Sequence, residues 1–274
     1  MRQVLKDNER VIVIREDDKV IKSFKNLTSE QNRILTAKLE LKDKFKDIPG
    51  LVLPQDYTLK NGVVDEIQTQ YVDFPDFYSS TGTPLLPFET ICYCMTDLND
   101  VIKQSNERGM IFPDFPSKGN IKYDPITLKI FLLDYEDNQI DKLPAGTICP
   151  TLANSALLKT KKYFNKGLFT KDIDIYNLAL RWYSLCTGWR LDSEIFKEGL
   201  TCKQALEKAG IYNEELIMKF NKCFVKNYSN SYFDDEFIDM YLNYELCPTK
   251  KMGMRRRNFC KRNVPRTEDM FFFG

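Results

Sequence analysis

The sequence contains no histidine, and its first glycine is Gly50. Without histidine, Ser-His-Asp and Cys-His catalysis are excluded, and an ordinary catalytic zinc site is disfavoured. No apolar run approaches membrane-spanning length, and the first ten residues, MRQVLKDNER, lack the apolar core of a signal peptide. We therefore expect a soluble, cytoplasmic protein without a membrane partner.

Cysteines and net charge place few further constraints on the chain. The 274 residues include eight cysteines but no C-x-x-C pair. The closest two, Cys92 and Cys94, fall on a predicted helix, which favours reduced thiols over a disulfide framework. Forty basic and thirty-nine acidic residues nearly cancel, so total charge indicates no class of partner. A chain of this length can bury one large core or two modest ones.

Three side chains with oxygen atoms stand near the middle of the chain. Asp114 and Asn120 lie in a predicted loop, and Asp124-Pro125 predicts a hairpin turn before a strand over residues 129–133. That strand is apolar on both faces, so Asp134 follows it at a buried edge. A buried carboxylate is costly without a cationic partner. The partner is either a divalent metal with phosphate oxygens or a buried lysine or arginine.

Two hairpins are predicted in the first part of the chain. Residues 10–15 and 19–25 are rich in β-branched side chains and flank an acidic turn. Lys60-Asn61-Gly62 is a strong turn signal between predicted strands at residues 51–53 and 68–72. The pattern indicates an antiparallel sheet at the N-terminal end.

Three segments have helical patterns. Thr28 and Gln31 form a capping box at the start of a predicted helix over residues 29–46. Apolar residues recur at helical spacing over residues 88–108. A third helix is predicted over residues 174–189, with an acid at its start and Thr-Gly near its end.

The order of these features resembles the protein-kinase superfamily. The family's catalytic loop reads H-R-D-L-x-x-x-N and is followed by a hairpin and D-F-G. Here Phe112-Pro113-Asp114 stands at the first motif, Asn120 at its end and Asp134-Tyr135-Glu136 at the second. Residues 174–189 are similar to the family's αF helix. The chain thus resembles a divergent, bacterial or phage-type relative of the eukaryotic-like kinases or pseudokinases.

This resemblance implies an α+β, two-lobed fold. A small β-rich N-lobe with one helix would cover residues 1–74. A larger helical C-lobe would cover residues 75–248, and a basic tail would cover residues 249–274. Asp174 would cap its helix and bond the backbone of the catalytic loop.

The resemblance also implies an ATP site. Val20-Ile21-Lys22 is similar to the family's V-A-I-K strand, whose lysine contacts the α and β phosphates. Glu40 would pair with Lys22, with Glu30 as the competing candidate. Tyr71 and Val72 would form the hinge whose backbone takes the adenine edge.

The catalytic roles are carried over in the same way. Asp114 would be the base that faces the acceptor hydroxyl, and Asn120 and Asp134 would hold Mg²⁺. ATP is thus the expected nucleotide, and a Ser/Thr protein is the favoured acceptor. The same fold logic also serves small-molecule phosphotransferases.

Several departures from the family pattern keep a second interpretation open. Phe112-Pro113 replaces His-Arg, Glu136 replaces the last glycine of D-F-G, and A-P-E is missing. Asp114 and Asn120 are six positions apart where the family has five, and no glycine-rich loop precedes Lys22. These departures favour a pseudokinase that acts as a binding or scaffold module. The retained Lys, Asn and two Asp side chains favour an enzyme.

The end of the chain is strongly basic. Residues 249–266 contain eight lysines and arginines and no acid. Such a block can neutralise the phosphates of nucleic acid or of another polyanion, and a solvated or partner-docking tail is the alternative. Candidate phosphorylation sites precede the third helix, at Thr147, Thr151, Ser155 and Thr160.

Overall fold

The structure is a computed structural model that describes residues 2–79, 81, 85–115, 118–146, 164–165, 167–188, 200–208, 212, 214–215 and 217–218. The four candidate phosphorylation sites and the basic tail lie outside these residues. Within the described part of the chain, no helix has the length and apolar character needed to cross a membrane.

The N-terminal part forms one antiparallel sheet. Its five strands run in the spatial order β1-β2-β3-β5-β4. They are β1 (Arg2–Asp7), β2 (Val11–Glu16), β3 (Lys19–Phe24), β4 (Pro54–Lys60) and β5 (Val63–Gln70). Both predicted hairpins are present, since β2 pairs with β3 and β4 pairs with β5.

Two strand predictions needed correction. The apolar residues 51–53 are not a strand of the sheet, because Leu51 instead packs into the main core and bridges Leu132. The exposed strand β1 was not predicted, since its side chains bury no face that would leave an alternating pattern. It completes the sheet through its backbone bonds to β2.

Helix α1 (Ser29–Glu40) packs on this sheet. The predicted capping box is confirmed, since Thr28 accepts from the Gln31 amide and Gln31 accepts from the Thr28 amide. The helix ends at Glu40 rather than at residue 46, and a 3-10 turn, Lys42–Phe45, follows. Its buried face consists of Ile34, Leu35, Lys38 and Leu39.

The remainder of the described chain is built mainly on helices. Its helices are α2 (Phe88–Glu107), α3 (Asp172–Thr187) and α4 (Cys202–Lys208). Its short strands are β6 (Met110–Ile111), β7 (Ile121–Tyr123), β8 (Ile130–Leu132), β9 (Gln139–Ile140), β10 (Phe164–Asn165) and β11 (Leu168–Phe169). They pair antiparallel as β6 with β9, β7 with β8, and β10 with β11. The hairpin predicted at Asp124-Pro125 is the β7–β8 pair.

The main core lies between α2 and α3. Trp182 and Tyr183 of α3 are fully buried there, together with Met95 and Leu98 of α2. Strands β7 and β8 pack against the same core through Ile121, Ile130 and Leu132. The loop before β7 and the segment after β8 are thereby fixed side by side.

Candidate functional site

The β1–β2 hairpin, strand β3, the loop before β7 and the segment after β8 meet at one cleft of about 510 Å³. Strand β3 supplies Lys22, the loop before β7 supplies Asn120, and the segment after β8 supplies Asp134. Asn120 and Asp134 also line an adjoining smaller pocket with Asp114. Further charged side chains that line the cleft are Lys6, Arg10, Lys118, Glu136 and Asp137.

Lys22 connects the sheet to the segment after β8. Its Nζ donates to Asp134 Oδ1 at 2.5 Å and also to Glu136 Oε1. The side chain is only 14% exposed. Burial alone would lower the pKa of Lys22, but the charges of Asp134 and Glu136 outweigh it and raise the pKa above its ordinary value. Lys22 is therefore a fixed ammonium group in the cleft.

The predicted pair between Lys22 and Glu40 is wrong. Glu40 is exposed at the end of α1, while Lys22 pairs with the two acids after β8. Successive helical residues are 100° apart, so Glu40 lies about 200° around the helix from the buried Lys38. Glu30 does not replace it, because it is exposed and pairs with Arg33.

Helix α1 instead contributes a lysine to the site. Lys38 is fully buried, and its Nζ donates to the backbone carbonyl of Glu136 at 2.9 Å. Tyr135 completes the connection, since its hydroxyl donates to the Lys38 carbonyl at 2.8 Å. Burial lowers the pKa of Lys38 to about 8, against the opposing charges of Asp137 and Glu136. Helix α1 and the segment after β8 are thus joined by two buried hydrogen bonds.

Asp134 combines an unusual backbone with a charged, accessible side chain. Its φ of 60° and ψ of 49° place it in the left-handed region, which is uncommon for residues other than glycine. The carboxylate is 37% exposed. Burial acts to raise the pKa of Asp134, but the charge and hydrogen bond of Lys22, with a smaller contribution from Lys6, hold it below its ordinary value. The group is therefore an anion that a ligand can reach.

Two further acids lie beside this pair. Within the described residues, Oε2 of Glu136 and Oδ1 of Asp137 are buried without a hydrogen-bond partner. Burial and the charges of Glu136 and Asp134 raise the pKa of Asp137 to about 7, although Lys22 and Lys38 oppose the shift. The cluster of two lysines and three acids therefore has acceptor capacity left over for a cation or a donor group.

The loop that carries Asp114 is closed by Asn120. The Asn120 side-chain amide donates to the Asp114 carbonyl at 2.9 Å and lies 3.4 Å from Asp114 Oδ2. The Asn120 carbonyl accepts from Leu133 N at 3.0 Å, which ties the loop to the strand before Asp134. The six-residue spacing is thus accommodated with Asp114, Asn120 and Asp134 around one pocket.

The donor set suits a magnesium ion only in combination with phosphate. Asn120 and Asp134 offer hard oxygen atoms, which Mg²⁺ prefers, and Mg²⁺ commonly takes only one or two protein ligands beside phosphate oxygens. In the part of the chain that the structure describes, no group of three or more His, Cys, Asp or Glu side chains could hold a metal by itself. The residues therefore fit a cation that arrives with a nucleotide.

Helix α3 fixes the backbone of the loop that carries Asp114. Asp174 Oδ1 accepts from Phe112 N at 2.9 Å, which confirms the predicted bond to this loop. Its predicted capping role is wrong, because Lys171 is at the N-cap and Asp174 lies inside the first turn. Asp174 Oδ2 accepts from Asn106 at 2.7 Å. Burial raises the pKa of Asp174 to about 7, and these two hydrogen bonds oppose that shift.

Two more polar residues on the same face of α3 support the loop. Asn177 donates to the carbonyls of Phe112 and Pro113 at 3.2 and 3.0 Å. Arg181, fully buried, donates to the carbonyls of Phe77 and Phe115 at 2.8 and 3.0 Å. Positions 174, 177 and 181 share one helical face, so a single helix fixes the backbone on both sides of Asp114.

The hinge residues predicted to hold adenine lie just beyond β5. Tyr71 N donates to the Asp18 carbonyl at 2.7 Å, and the Arg15 guanidinium lies 3.7 Å from the Tyr71 ring centroid. Tyr71 and Val72 are not among the described residues that line the cleft. Adenine binding by this segment stays a prediction, and it must use backbone groups other than the Tyr71 amide.

Lys38 and Glu136 were not predicted from the sequence as residues of this site. Lys38 falls on the apolar stripe of α1, three residues after Leu35 and four after Ile34, so its helical position was a usable signal. The sequence indicated Glu136 only as the residue that replaces the last glycine of the D-F-G motif. Its pairing with Lys22 spans 114 positions and leaves no local pattern.

Comparisons with known proteins support the fold. No protein-family model matches the chain, and no curated protein matches its sequence. Among solved structures, the chain is similar to the Cydia pomonella granulovirus kinase PK-1 at a TM-score of 0.55 and 12% identity. The match covers 88% of this chain and 92% of that one. Together with the five-stranded sheet and the helical remainder, this similarity shows that the chain has a protein-kinase-like, two-lobed α+β fold.

Proposed function

We propose that this protein is an ATP-dependent phosphotransferase of the protein-kinase type that transfers the γ-phosphoryl group to a Ser/Thr hydroxyl. The observation that carries the proposal is the cleft in which Lys22 Nζ lies 2.5 Å from Asp134 Oδ1. Asn120 lines that cleft, and Asp114 lines the pocket that adjoins it. A solved structure to which the chain is similar, the granulovirus protein PK-1, is named a kinase.

Each residue has a distinct task in this proposal. The Lys22 ammonium neutralises charge on the nucleotide phosphates, and Asn120 and Asp134 hold Mg²⁺. When bound, Mg²⁺ supplies charge neutralisation at the transferring phosphoryl group. Asp114 orients the acceptor hydroxyl and accepts its proton. The bond from the γ-phosphorus to the bridging oxygen breaks, a bond to the acceptor oxygen forms, and ADP leaves.

Loop support by α3 explains how such a site would work without the family's His-Arg pair. Phosphoryl transfer depends mainly on positioning and on charge stabilisation. Asp174, Asn177 and Arg181 already fix the backbone around Asp114, so the loop geometry does not depend on those two missing side chains.

The test is transfer of labelled phosphate from ATP to an arrayed library of Ser/Thr peptides. Wild-type protein should label a subset of the library, and Asp114→Asn should lose at least about 100-fold in rate because the base is removed. Asp47→Asn is the matched control, because Asp47 is an exposed acid that does not line the cleft or its adjoining pocket. A library with equal labelling by wild type and Asp114→Asn would contradict the proposed role of Asp114.

A pseudokinase is the second candidate, and one observation favours it. Glu136 and Asp134 already neutralise Lys22, and no glycine precedes Gly50 to let the backbone approach phosphate. Such a protein would bind a partner through its two lobes without turnover. ATP binding without transfer to protein would support it. Transfer to small alcohols or amino-sugars alone would instead indicate a small-molecule kinase.

We also propose that residues 249–266 contact a polyanion. The proposal is supported by their eight basic side chains without an acid. Truncation after residue 248 should weaken binding to heparin or to an oligonucleotide and reduce its salt dependence, because counterion release scales with the number of contacts. Identical binding and salt slopes in the two proteins would contradict the contact.

A further inference from the structure

Two lysines, one largely and one fully buried, converge on Glu136. Lys22 comes from β3 and donates to the Glu136 carboxylate, while Lys38 comes from α1 and donates to the Glu136 backbone carbonyl. Glu136 itself is only 2% exposed. One lysine thus holds the carboxylate of Glu136 and the other holds its backbone, so the residue is fixed at two points.

Helix α1 has no carboxylate on its buried face. Its buried positions are three aliphatic residues and Lys38, and its last acid, Glu40, is exposed. A cation at Lys38 repels the Lys22 ammonium and so cannot take the place of an acid. The negative charge that Lys22 needs must come from elsewhere.

We propose that Glu136 is the positioning residue for Lys22, and that Lys38 keeps Glu136 in place. The ion pair that positions the lysine is therefore formed with the segment that carries Asp134, not with α1. Helix α1 acts on Lys22 indirectly, through the Glu136 backbone. The inference rests on the proposed function where it concerns nucleotide, but the ion pair itself can be tested without one.

The orientation of Lys22 matters because Asp134 is its other partner. While Glu136 shares the ammonium group, Asp134 keeps part of its carboxylate for a ligand, consistent with its 37% exposure. Without Glu136, Lys22 would pair with Asp134 alone and compete with any cation there. Loss of Glu136 should therefore raise the magnesium concentration that binding requires, as well as displace the lysine.

The first experiment measures the accessibility of Lys22. Wild type and variants are treated briefly with an N-hydroxysuccinimide acetate, and acetylation of each lysine is followed by peptide mass spectrometry. Glu136→Gln should speed Lys22 acetylation about ten-fold, the effect of losing one charge-assisted hydrogen bond. Glu40→Gln, the matched carboxylate on α1, should leave Lys22 at the wild-type rate.

Internal controls separate local release from general loosening. Lys122 is also partly buried in an ion pair, with Asp76, and its acetylation should not change. If Glu136→Gln does not fold, Lys38→Met/Glu136→Gln tests the same point with the net charge kept. If Lys22 were acetylated as slowly in a folded variant that lacks Glu136 as it is in wild type, the proposal would be overturned. Faster Lys22 acetylation in Glu40→Gln would also overturn it.

The second experiment measures Mg²⁺-ATP affinity by titration at several magnesium concentrations. Glu136→Gln should bind about ten-fold more weakly and need more magnesium for half-maximal binding. A wild-type protein that binds no ATP would contradict the proposed function but leave the acetylation result to decide the ion pair. Binding by Glu136→Gln with the wild-type magnesium requirement would overturn the positioning role.

Discussion

The two sides of the cleft are held by different kinds of interaction. On the Asp114 side, three side chains of α3 form buried hydrogen bonds with backbone groups of the loop. On the Asp134 side, Lys22 forms ion pairs with Asp134 and Glu136. Among the described residues there, the buried oxygens Glu136 Oε2 and Asp137 Oδ1 have no hydrogen-bond partner. The α3 side fixes the backbone of the loop, whereas the Asp134 side keeps acceptor capacity for a ligand.

This difference separates stability from function. Satisfied buried hydrogen bonds are costly to break, because each orphaned group loses its partner and cannot regain water. A charged cluster with spare acceptors is instead sensitive to what binds in it. We expect substitutions on the α3 side to affect mainly folding and substitutions at Lys22 or Asp134 to affect mainly binding.

The largest effect on stability is expected at Arg181. Arg181→Met keeps most of the volume but leaves the carbonyls of Phe77 and Phe115 without this donor, which should cost about 4 kcal/mol of unfolding free energy. Urea denaturation measures the loss. Arg33→Met, on an exposed arginine of α1, should leave the unfolding free energy close to that of wild type. Equal effects of the two substitutions would remove the α3 scaffold from the account.

A smaller loss is expected at Lys38. Lys38→Met removes the donor to the Glu136 carbonyl and leaves the nearby acids less neutralised, which should cost about 3 kcal/mol. The matched control is Lys42→Met, since Lys42 is a lysine beyond the end of α1 whose contact is exposed. An unfolding free energy of Lys38→Met at or above that of wild type would show that the buried ion cluster does not stabilise the fold.

The next effect depends on pH and concerns Asp174. Burial raises its folded-state pKa from 3.8 to about 7, so the folded protein holds the proton more tightly than the unfolded chain. The stability from this group is full below pH 3.8 and is lost as pH rises through about 7. Between pH 5 and 7, wild type should lose about 2 kcal/mol relative to Asp174→Asn.

Urea denaturation of both proteins at several pH values measures this difference. The subtraction removes the titration of groups that the two proteins share. A wild-type advantage that grows as pH rises through this window would have the opposite sign and contradict the buried, proton-holding state of Asp174.

The smallest effect is expected at the exposed pair of Glu30 and Arg33. Glu30→Gln should leave the unfolding free energy close to that of wild type, because an exposed i,i+3 pair is screened by water and salt. It should leave Mg²⁺-ATP affinity unchanged, since Glu30 does not contact Lys22. If Glu30→Gln lost Mg²⁺-ATP affinity and Glu136→Gln kept it, the residue that positions Lys22 would be an acid of α1 and not Glu136.

Features with a local signal were predicted from the sequence. The turn at Lys60-Asn61-Gly62 gave the β4–β5 hairpin, with Asn61 and Gly62 both at positive φ. The capping box gave the start of α1, and the apolar spacing gave α2. Turn chemistry, capping and periodicity act over a few residues, so they can be recognised without knowledge of the fold.

Features that depend on distant contacts were predicted only in part. The bond between Asp174 and the Asp114 loop came from the resemblance, and the structure confirms it. The Glu40 pairing also came from the resemblance, which does not take into account which face of α1 is buried. The roles of Asp114, Asn120 and Asp134 stay predictions, although the structure brings the three together around one pocket.

The measurement that tests the central claim most directly is thermal unfolding with and without Mg²⁺-ATP. A ligand that binds only the folded state must raise the unfolding midpoint. We predict a magnesium-dependent rise for wild type and for Lys19→Ala, an exposed lysine on the same strand, and no rise for Lys22→Ala or Asp134→Asn. An unchanged midpoint for wild type at saturating nucleotide, or an equal rise in all four proteins, would contradict the site.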